Sequence, residues 1–464
     1  MIPQPIPNEI LEAFRRYKGY PLLVKGAPGT GKTIFSLELL NELSKEGDSI
    51  YLSTRTSIKD LYNQFPWLEG VLFEENILDA SKSYTLRTKD PTKAIYYGSK
   101  PEFLQAVYEK VDELKKPATL VIDSWDAVVH TAKEGDEEEI INTLIDLAKE
   151  NGTNIVLIVE ERKHTSLEYL VDGVITLTEE RINDLCVRKI HLNKLRGIKR
   201  RQPFYLFTLS NGRFQYFEPF KVKRPKEPKI FEPIPDKERY FSTGSEDLDE
   251  LLEGGYRKGS FVLIEVEEGS LLGLSYLVGA TIKNFVTQKR GDVGFTVAGS
   301  DAEVLKRIMV PYVGEENFDS YVRILEKDPR VSKPYVVPIK GESLKEDFNK
   351  LSEVVSEIGE KRGEPVLIIL GFDNIEYMYG PENMVEPIAH LIAYERKRFN
   401  LCIGLLKPGL SVAQQVANMA NVHLKITQIG GAFCLYGIRP TSGLYNLDVD
   451  VSMGYPKIKL IPIV

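Results

Sequence analysis

Cysteine is scarce in this sequence, which has three in 464 residues, at Cys186, Cys402 and Cys434. Three scattered cysteines provide neither a disulfide framework nor the paired spacing of a zinc site, so both kinds of small stabilised fold are excluded. No run approaches 18 uncharged apolar residues, and we therefore expect no membrane span. The first 20 residues have no apolar core of the signal-peptide type, so we expect a cytoplasmic protein.

An excess of basic charge is also missing. The chain has 60 Lys and Arg against 67 Asp and Glu, a net charge of −7, which excludes generic binding of nucleic acid by the whole surface. Hydrophobic residues make up 42% and charged residues 27%, the balance of a globular protein rather than a disordered one. At roughly 150 residues per domain, the length predicts two to three domains.

One segment interrupts the globular pattern. Residues 219–240 contain five prolines among alternating charges, which is incompatible with a regular core element. We interpret this segment as a stiff, solvated, proline-rich linker. It predicts a first domain over residues 1–218 and a second over residues 241–464.

Both domains alternate short β-rich runs with amphipathic segments. This alternation predicts an α/β fold, with a mostly parallel sheet flanked by helices. The second domain repeats the first, since Gly19–Lys25 is similar to Gly259–Glu265. We therefore predict one fold, duplicated. In the first domain the predicted strands are Pro21–Val24, Ser49–Ser53, Thr119–Ile122, Asn154–Val159 and Gly173–Leu177.

A complete GxxxxGK[ST] motif follows the first predicted strand and precedes a predicted helix. This motif is a phosphate-binding loop, in which glycines let backbone N–H groups surround the phosphates at a helix N-terminus. Lys32 is predicted to reach the β- and γ-phosphates, and the Thr33 hydroxyl to bind Mg²⁺. The nucleotide-binding residues are Gly26, Ala27, Pro28, Gly29, Thr30, Gly31, Lys32 and Thr33.

A phosphate-binding loop of this type needs a carboxylate near the Mg²⁺ ion. Residues 119–123 supply one, because an apolar strand ends there in Asp123. We assign Asp123 to the metal site and to catalysis. Ser124, the next residue, is a further catalytic candidate that orients water or the γ-phosphate.

Several patterns together resemble a known group. The loop, the Val-Ile-Asp-Ser of residues 121–124, the Asp-Gly-Val-Ile of residues 172–175 and the Lys-Leu-Arg-Gly of residues 194–197 resemble archaeal KaiC-type members of the RecA superfamily. The segment Ile50–Arg55 is most similar to GvpD, a gas-vesicle regulator. The resemblance implies two RecA-like domains and an ATP-binding first domain that uses Mg²⁺.

In that group, ATP lies between neighbouring subunits of a ring or filament. The resemblance therefore implies a homo-oligomer in which Lys194 and Arg196 reach the γ-phosphate of the adjacent subunit. The same two residues lie in a basic run, residues 187–201, with seven Lys or Arg and no acid. This run is alternatively a solvated basic strand, or a contact for DNA or RNA.

The group's water-activating glutamate is missing. The segment after the second strand is Ser53-Thr54-Arg55-Thr56, which has no carboxylate. Glu160 and Glu161, at the end of another strand, are weak substitutes and are alternatively solvated strand-end acids. A loop without its base binds ATP but hydrolyses it slowly.

The second domain has lost the residues for nucleotide chemistry. At an offset of 240 residues, Leu272 stands in place of Lys32 and Gly273 in place of Thr33. Gly371 aligns with Asp123, and Glu267 and Glu268 would repel phosphate. We predict a degenerate domain that keeps the fold.

Three functions remain open at this point. The first is a slow Mg²⁺-dependent ATPase whose nucleotide state controls assembly or the binding of an unidentified protein partner. The second is a regulator of transcription or signalling that binds ATP without hydrolysing it. The third is a DNA-dependent RecA-like ATPase, for which the sequence offers the basic run alone.

Overall fold

A computed structural model describes residues 5–79, 107–131, 137–160, 166–182, 184–297, 299–327, 329, 332–362 and 365–464. The chain divides into two compact units. The first comprises residues 1–218 together with Ile463 and Val464, and the second comprises Pro219–Pro462.

The first unit is built on a sheet with nine strands in its described part, in the order β3-β2-β4-β5-β1-β6-β7-β8-β9. Strands β3 to β6 in this order run parallel, and β7 to β9 continue the sheet antiparallel. The strands are β1 Pro21–Gly26, β2 Asp48–Ser53, β3 Ile77–Asp79, β4 Ala118–Asp123, β5 Thr153–Glu160, β6 Gly173–Ile182, β7 Leu185–Leu195, β8 Phe204–Thr208 and β9 Gln215–Phe217.

Helices cover both faces of this sheet, and two hydrophobic clusters on opposite faces account for the near-continuous apolar runs of the parallel strands. Leu22 and Val24 of β1 belong to one cluster and Leu23 to the other. The helices are α1 Asn8–Arg16, α2 Lys32–Leu43, α3 Ile58–Gln64, α4 Trp125–Thr131, α5 Glu137–Asn151 and α6 Leu167–Leu170, with 3₁₀ turns at Pro66–Leu68, Glu74–Asn76 and Ser210–Gly212.

The second unit has a ten-stranded sheet in its described part, in the order β15-β14-β13-β16-β17-β12-β18-β19-β20-β21, and a small sheet of β10 and β11. The strands are β10 Tyr240–Phe241, β11 Tyr256–Arg257, β12 Phe261–Val266, β13 Asp292–Phe295, β14 Val322–Lys327, β15 Val336–Ile339, β16 Leu367–Gly371, β17 Leu401–Leu406, β18 Val422–Ile429, β19 Ala432–Arg439, β20 Tyr445–Asp450 and β21 Lys457–Pro462. The helices are α7 Glu246–Leu251, α8 Leu271–Thr287, α9 Ala302–Val313, α10 Glu315–Tyr321, α11 Leu344–Arg362, α12 Phe372–Tyr379, α13 Val385–Lys397 and α14 Ala413–Met419, with a 3₁₀ turn at Pro381–Asn383.

The two sheets share one topology. The central strands correspond in order, with β2-β4-β5-β1-β6 in the first sheet and β13-β16-β17-β12-β18 in the second. The outer strands correspond as well, β3 to β14 on one side and β7-β8-β9 to β19-β20-β21 on the other. The second sheet adds β15 beyond β14. The predicted fold class, two RecA-like α/β domains with mostly parallel sheets flanked by helices, is confirmed. In the described part of the chain, every helix is too short or too polar to cross a membrane.

The proline-rich segment, residues 219–240, is largely exposed, and some of its residues also have partners on the second unit. It forms no helix or strand before β10 and belongs to the second unit. Phe231 is buried, and its backbone N–H donates to the carbonyl of Tyr312. Asp236 forms an ion pair of 2.7 Å with Arg290, whose side chain is 4% exposed. Prolines exclude regular structure, yet the apolar and charged residues between them still find partners on the second unit.

The Asp236–Arg290 pair generates a stability prediction. Asp236→Asn leaves a buried guanidinium, stacked 4.1 Å from the Phe285 ring centre, without its counter-charge. Removing one partner of a buried pair costs about 3–5 kcal/mol. We expect the free energy of unfolding of the second unit, measured by circular dichroism in urea, to fall by about 3–5 kcal/mol. Tryptophan fluorescence should not change, because Trp67 and Trp125 both lie in the first unit.

Lys361→Ala is the matched control, since its ion pair with Glu357 is exposed on both sides. An exposed pair contributes about 0–1 kcal/mol. If Asp236→Asn unfolds at the same urea concentration as this control, the segment does not depend on the buried pair.

Candidate functional site

The phosphate-binding loop lies at the carboxyl edge of the first sheet, where β1 ends at Gly26 and α2 begins at Lys32. Gly29 and Gly31 have φ values of 84° and 93°, a region that favours glycine. A Cβ atom on Gly31 would also lie 2.8 Å from the Leu209 side chain. The glycines of the motif are therefore required by the backbone path between strand and helix.

The Lys32 ammonium lies over the loop. It donates to the carbonyl oxygens of Gly26 at 2.6 Å and Ala27 at 2.9 Å. Burial lowers the pKa of Lys32, while the nearby carboxylates of Asp123 and Glu160 act in the opposite direction. The lysine side chain is thus held at the loop by the backbone that would surround a phosphate.

Asp123, at the end of β4, lies beside the loop. Its Oδ2 accepts hydrogen bonds of 2.6 Å from the Thr33 hydroxyl and 2.6 Å from the Tyr51 hydroxyl. A hydroxyl and a carboxylate in contact are the oxygen ligands that Mg²⁺ prefers, so the pair fits that ion. Asp123, Thr33 and Lys32 therefore form one cluster from three elements.

Sequence reasoning missed Tyr51. It is buried on β2, and burial together with Asp123 raises its pKa well above the ordinary value. The phenol therefore stays protonated and keeps donating to Asp123. Its only signal in the sequence is its place as a polar-tipped residue inside the apolar run Asp48–Ser53.

Ser124 lies next to this cluster. It is 5% exposed, and its hydroxyl has no hydrogen-bond partner among the described residues. Its backbone N–H donates to the Thr54 hydroxyl at 2.7 Å. A buried hydroxyl without a partner at this position can accept or donate to a ligand of the loop.

Glu160, the last residue of β5, also lies at this edge. It pairs in register with Gly26 of β1, the first residue of the loop. Its carboxylate is 3.3 Å from the Arg55 guanidinium, and its backbone N–H donates to Asp126 at 3.0 Å. Glu161, the other weak candidate, lies outside the described residues.

The segment after β2 carries hydroxyls where the resemblance implies a glutamate. The Ser53 hydroxyl donates to the carbonyl of Thr56 at 2.6 Å, and the Thr54 hydroxyl to the carbonyl of Asp123 at 3.0 Å. The first bond closes a turn after β2, and the second joins the end of β2 to the end of β4. Arg55 then extends from this segment toward Glu160, so the carboxylate of this region comes from β5.

Lys194 and Arg196 lie at the opposite end of the parallel strands, where those strands begin. The loop residue Gly26 is level with Leu177 of β6, whereas Lys194 is level with Val174, nearer the start of that strand. Three to four strand residues span about 10–13 Å. Neither side chain is brought to the loop of its own chain.

Their contacts at that edge differ. The Lys194 ammonium donates to the carbonyls of Glu168 at 2.8 Å and Val171 at 2.6 Å. Arg196 is 63% exposed and forms an ion pair of 2.6 Å with Asp172. Lys194 is held by its own chain, while Arg196 is accessible to a second molecule.

Arg188 is a further cation at the loop, and its one signal in the sequence is its place in the basic run. Its guanidinium donates to the carbonyl of Gly29 at 3.4 Å and forms an ion pair of 2.8 Å with Glu179 across the β6–β7 hairpin. Its Nε is buried and has no partner among the described residues. The hairpin thus places one cation against the top of the loop.

Two more residues of the basic run, Lys189 and Arg200, have partners within the unit, whereas Lys199 and Arg201 are exposed. Lys189 contacts Glu180 at 2.6 Å. Arg200 donates to the carbonyls of Leu192 at 2.6 Å and Asn193 at 2.7 Å. Strand β7 also lies between β6 and β8, so it is not a free edge. These contacts reduce the positive charge available to a nucleic acid.

The corresponding loop of the second unit has different contacts. Helix α8 begins with Leu271 and Leu272, which are 46% and 37% exposed. Glu267 is paired with Lys425 of β18 at 3.3 Å. Asp373, near the position of Asp123, forms an ion pair of 2.6 Å with Lys407. Carboxylates here are neutralised by lysines of the same unit.

Comparison with known proteins gives a consistent result. Residues 10–193 match the family model "GvpD gas vesicle protein, P-loop domain". The chain is 28% identical to Protein GvpD2 and 25% identical to Protein GvpD1 of Halobacterium salinarum, in each case over 99% of this chain and 96% of the relative. It is also 24% identical to the circadian clock oscillator protein KaiC of Synechococcus elongatus, over 62% of this chain and 56% of KaiC. The resemblance to GvpD- and KaiC-like P-loop proteins is confirmed.

The loop geometry predicts a single nucleotide site in each chain. Lys32→Ala removes a charged contact to phosphate worth about 1.5–3 kcal/mol, so nucleotide should bind about 10–100-fold more weakly. Leu272→Lys should leave the stoichiometry at one, because the hydroxyl and the acid of that loop are also missing. Titration with a fluorescent ATP analogue measures both values. Equal affinity in the wild type and Lys32→Ala would contradict the assignment, as would a second nucleotide bound by Leu272→Lys.

Proposed function

We propose that this chain, a P-loop protein of the GvpD- and KaiC-like type, binds ATP with Mg²⁺ in its first unit and hydrolyses it slowly. The observation that carries the proposal is the 2.6 Å hydrogen bond between Thr33 and Asp123 beside the Lys32 ammonium. In this proposal the nucleotide state controls assembly or the binding of a protein partner.

The phosphates and the Mg²⁺ ion each have a set of residues to hold them. The backbone N–H groups of Ala27 and residues 29–33, together with the Lys32 ammonium, would bind the phosphates. Thr33 and Asp123 would hold Mg²⁺, and Tyr51 orients the Asp123 carboxylate through its own hydrogen bond. The ion would supply positive charge that offsets the charge of the phosphates.

Glu160 is the group that we assign to water activation. It ends the strand next to the loop, and its carboxylate contacts Arg55. A carboxylate within reach of the attacking water takes its proton, and the arginine fixes the direction of that carboxylate. The buried Ser124 hydroxyl holds the same water or the γ-phosphate. This arrangement replaces the glutamate that is missing after β2.

Arg196 is the group that we assign to a contact between subunits. It is exposed, and it lies at the sheet edge opposite the loop of its own chain. A phosphate contact by this residue therefore requires a second copy of the chain, as the KaiC-like resemblance implies. Lys194 stabilises the segment that contains Glu168 and Val171, because its ammonium donates to the carbonyls of both residues.

A second candidate function is an ATP-dependent regulator that does not turn the nucleotide over. It is favoured by the hydroxyls and arginine after β2, where the resemblance implies a glutamate. In this case ATP stabilises one conformation for a partner to recognise. The third candidate, a DNA-dependent ATPase, is disfavoured by the internal pairing of the basic run.

Glu160→Gln tests water activation. Removing a general base costs about 10²–10⁴-fold in rate, so phosphate release should fall by at least about 10²-fold while ATP affinity stays nearly unchanged. Phosphate release and analogue binding are measured on the same samples. Glu150→Gln, at an exposed residue of α5, is the matched control and should behave as the wild type.

The outcome also separates the two leading functions. Wild-type turnover that equals that of Lys32→Ala would identify the non-hydrolysing regulator. Turnover that survives Glu160→Gln would remove Glu160 from the mechanism.

Arg196→Ala tests the contact between subunits. An arginine supplied in trans contributes about 10³–10⁵ in rate, and a slow enzyme should gain less. We expect turnover to fall far more than ATP affinity. Mixing Arg196→Ala with Lys32→Ala chains should restore part of the activity, because some interfaces then combine one intact loop with one intact arginine.

Lys199→Ala, at an exposed residue of the same basic run, is the matched control. A fully active monomer, or an Arg196→Ala chain that turns over like Lys199→Ala, would overturn the contact between subunits.

A further inference from the structure

The second unit contains a cavity of about 130 Å³ between helices α8 and α9 and the sheet face of β13. It opens beside Ile308, which is 54% exposed. The described lining is mostly apolar, and includes Leu274, Val278, Ile282, Ile324 and Leu405. A lining of this kind favours an apolar ligand over a cluster of water molecules.

One acidic group interrupts this apolar lining. Asp292, the first residue of β13, lines the cavity and is 4% exposed. No donor or cation among the described residues reaches its carboxyl group. Burial alone raises its pKa to about 7. A buried carboxyl group without a partner is costly, because buried charges are normally paired.

Arg323, on the neighbouring strand β14, is the other charged group among the described lining residues. Its guanidinium donates to the carbonyls of Asp319 at 2.9 Å and Val322 at 2.7 Å. Arg323 does not contribute to the raised pKa of Asp292, which burial alone causes. The carboxyl group of Asp292 therefore lacks a counter-charge among the residues that the structure describes.

Gly279 keeps the space open. It lies in the interior of α8 and lines the cavity. A Cβ atom added there would meet no atom within 4 Å. Glycine in a helix interior is less stabilising than alanine. Because an alanine would fit here without a clash, packing does not explain the glycine at position 279.

We propose that this cavity binds a small apolar molecule that carries one primary ammonium group. The apolar part lies against the leucine, valine and isoleucine side chains, and the ammonium pairs with Asp292. A cavity of about 150 Å³ in another protein holds benzene, which has six non-hydrogen atoms, so a cavity of about 130 Å³ suits a ligand of about five or six. The ion pair provides the counter-charge that Asp292 lacks among the described residues.

The ammonium also predicts the pH dependence. Below pH 7 the Asp292 carboxyl group is mostly protonated, and it must release its proton before it can pair with a cation. Affinity for a small amine should therefore rise from pH 6 to pH 8, by about tenfold, the ratio of ionised Asp292 at the two pH values. An uncharged ligand of the same shape requires no such proton release.

The experiment titrates the full chain with cyclopentylamine, cyclopentanol and cyclopentane at pH 6 and pH 8 by isothermal calorimetry. We expect one cyclopentylamine site per chain, tighter than either uncharged analogue at pH 8 and about tenfold weaker at pH 6. Asp292→Asn should abolish the preference for cyclopentylamine. Gly279→Leu, which adds a side chain to the open space of the cavity, should abolish binding of all three. Glu395→Gln, at a buried carboxyl outside this lining, should bind as the wild type.

Nucleotide binding by the first unit should be unchanged in all three variants, which keeps this test independent of the proposed function. Cyclopentane bound as tightly as cyclopentylamine at pH 8 would overturn the proposal. A preference for cyclopentylamine that survives Asp292→Asn, or cyclopentylamine binding that survives Gly279→Leu, would overturn it as well.

Discussion

The hydrogen bond between the Thr33 hydroxyl and the Asp123 carboxylate depends on one constraint, which is that the parallel strands all end at the same edge of the sheet. Strand β5 separates β4, which ends in Asp123, from β1, which leads into the loop. The two residues meet across it because α2 begins directly above that edge. Glu160 joins them for the same reason, since β5 ends between the two.

The parallel strands of the second unit also end at one edge, but its loop lacks the lysine, the hydroxyl and the acid of the first unit. Its strand order repeats that of the first, and residues such as Val262 and Ile264 are fully buried, as are their counterparts in β1. The core stabilises the fold through buried apolar area, and it makes no use of a lysine or a hydroxyl at the loop. Leucine at position 272 and glycine at position 273 are therefore compatible with the same buried core. Lys407 and Lys425 now pair with acids near this edge.

Charges within the first unit are divided between two edges of one sheet. Lys32, Arg55 and Arg188 lie at the loop, and each is in contact with a carbonyl or carboxylate there. Lys194 and Arg196 lie at the far edge, and Arg196 extends into solvent. This separation is what a composite site between two chains requires. The buried carboxyl of Asp292 gives the second unit a separate binding chemistry, unrelated to phosphate.

The sequence alone determined the local features. The loop motif, the strands around it and the acid at the end of β4 are encoded by residue order over short distances, as is the duplication, because their patterns of glycine and apolar residues are specific. Tertiary structure decided which distant residues share a site. Tyr51, Arg188 and the unpartnered Asp292 carry no motif, since their roles follow from strand order and burial. The contacts of the proline-rich segment were missed for a related reason, because proline content excludes helices and strands but does not show whether Phe231 and Asp236 find partners on a folded surface.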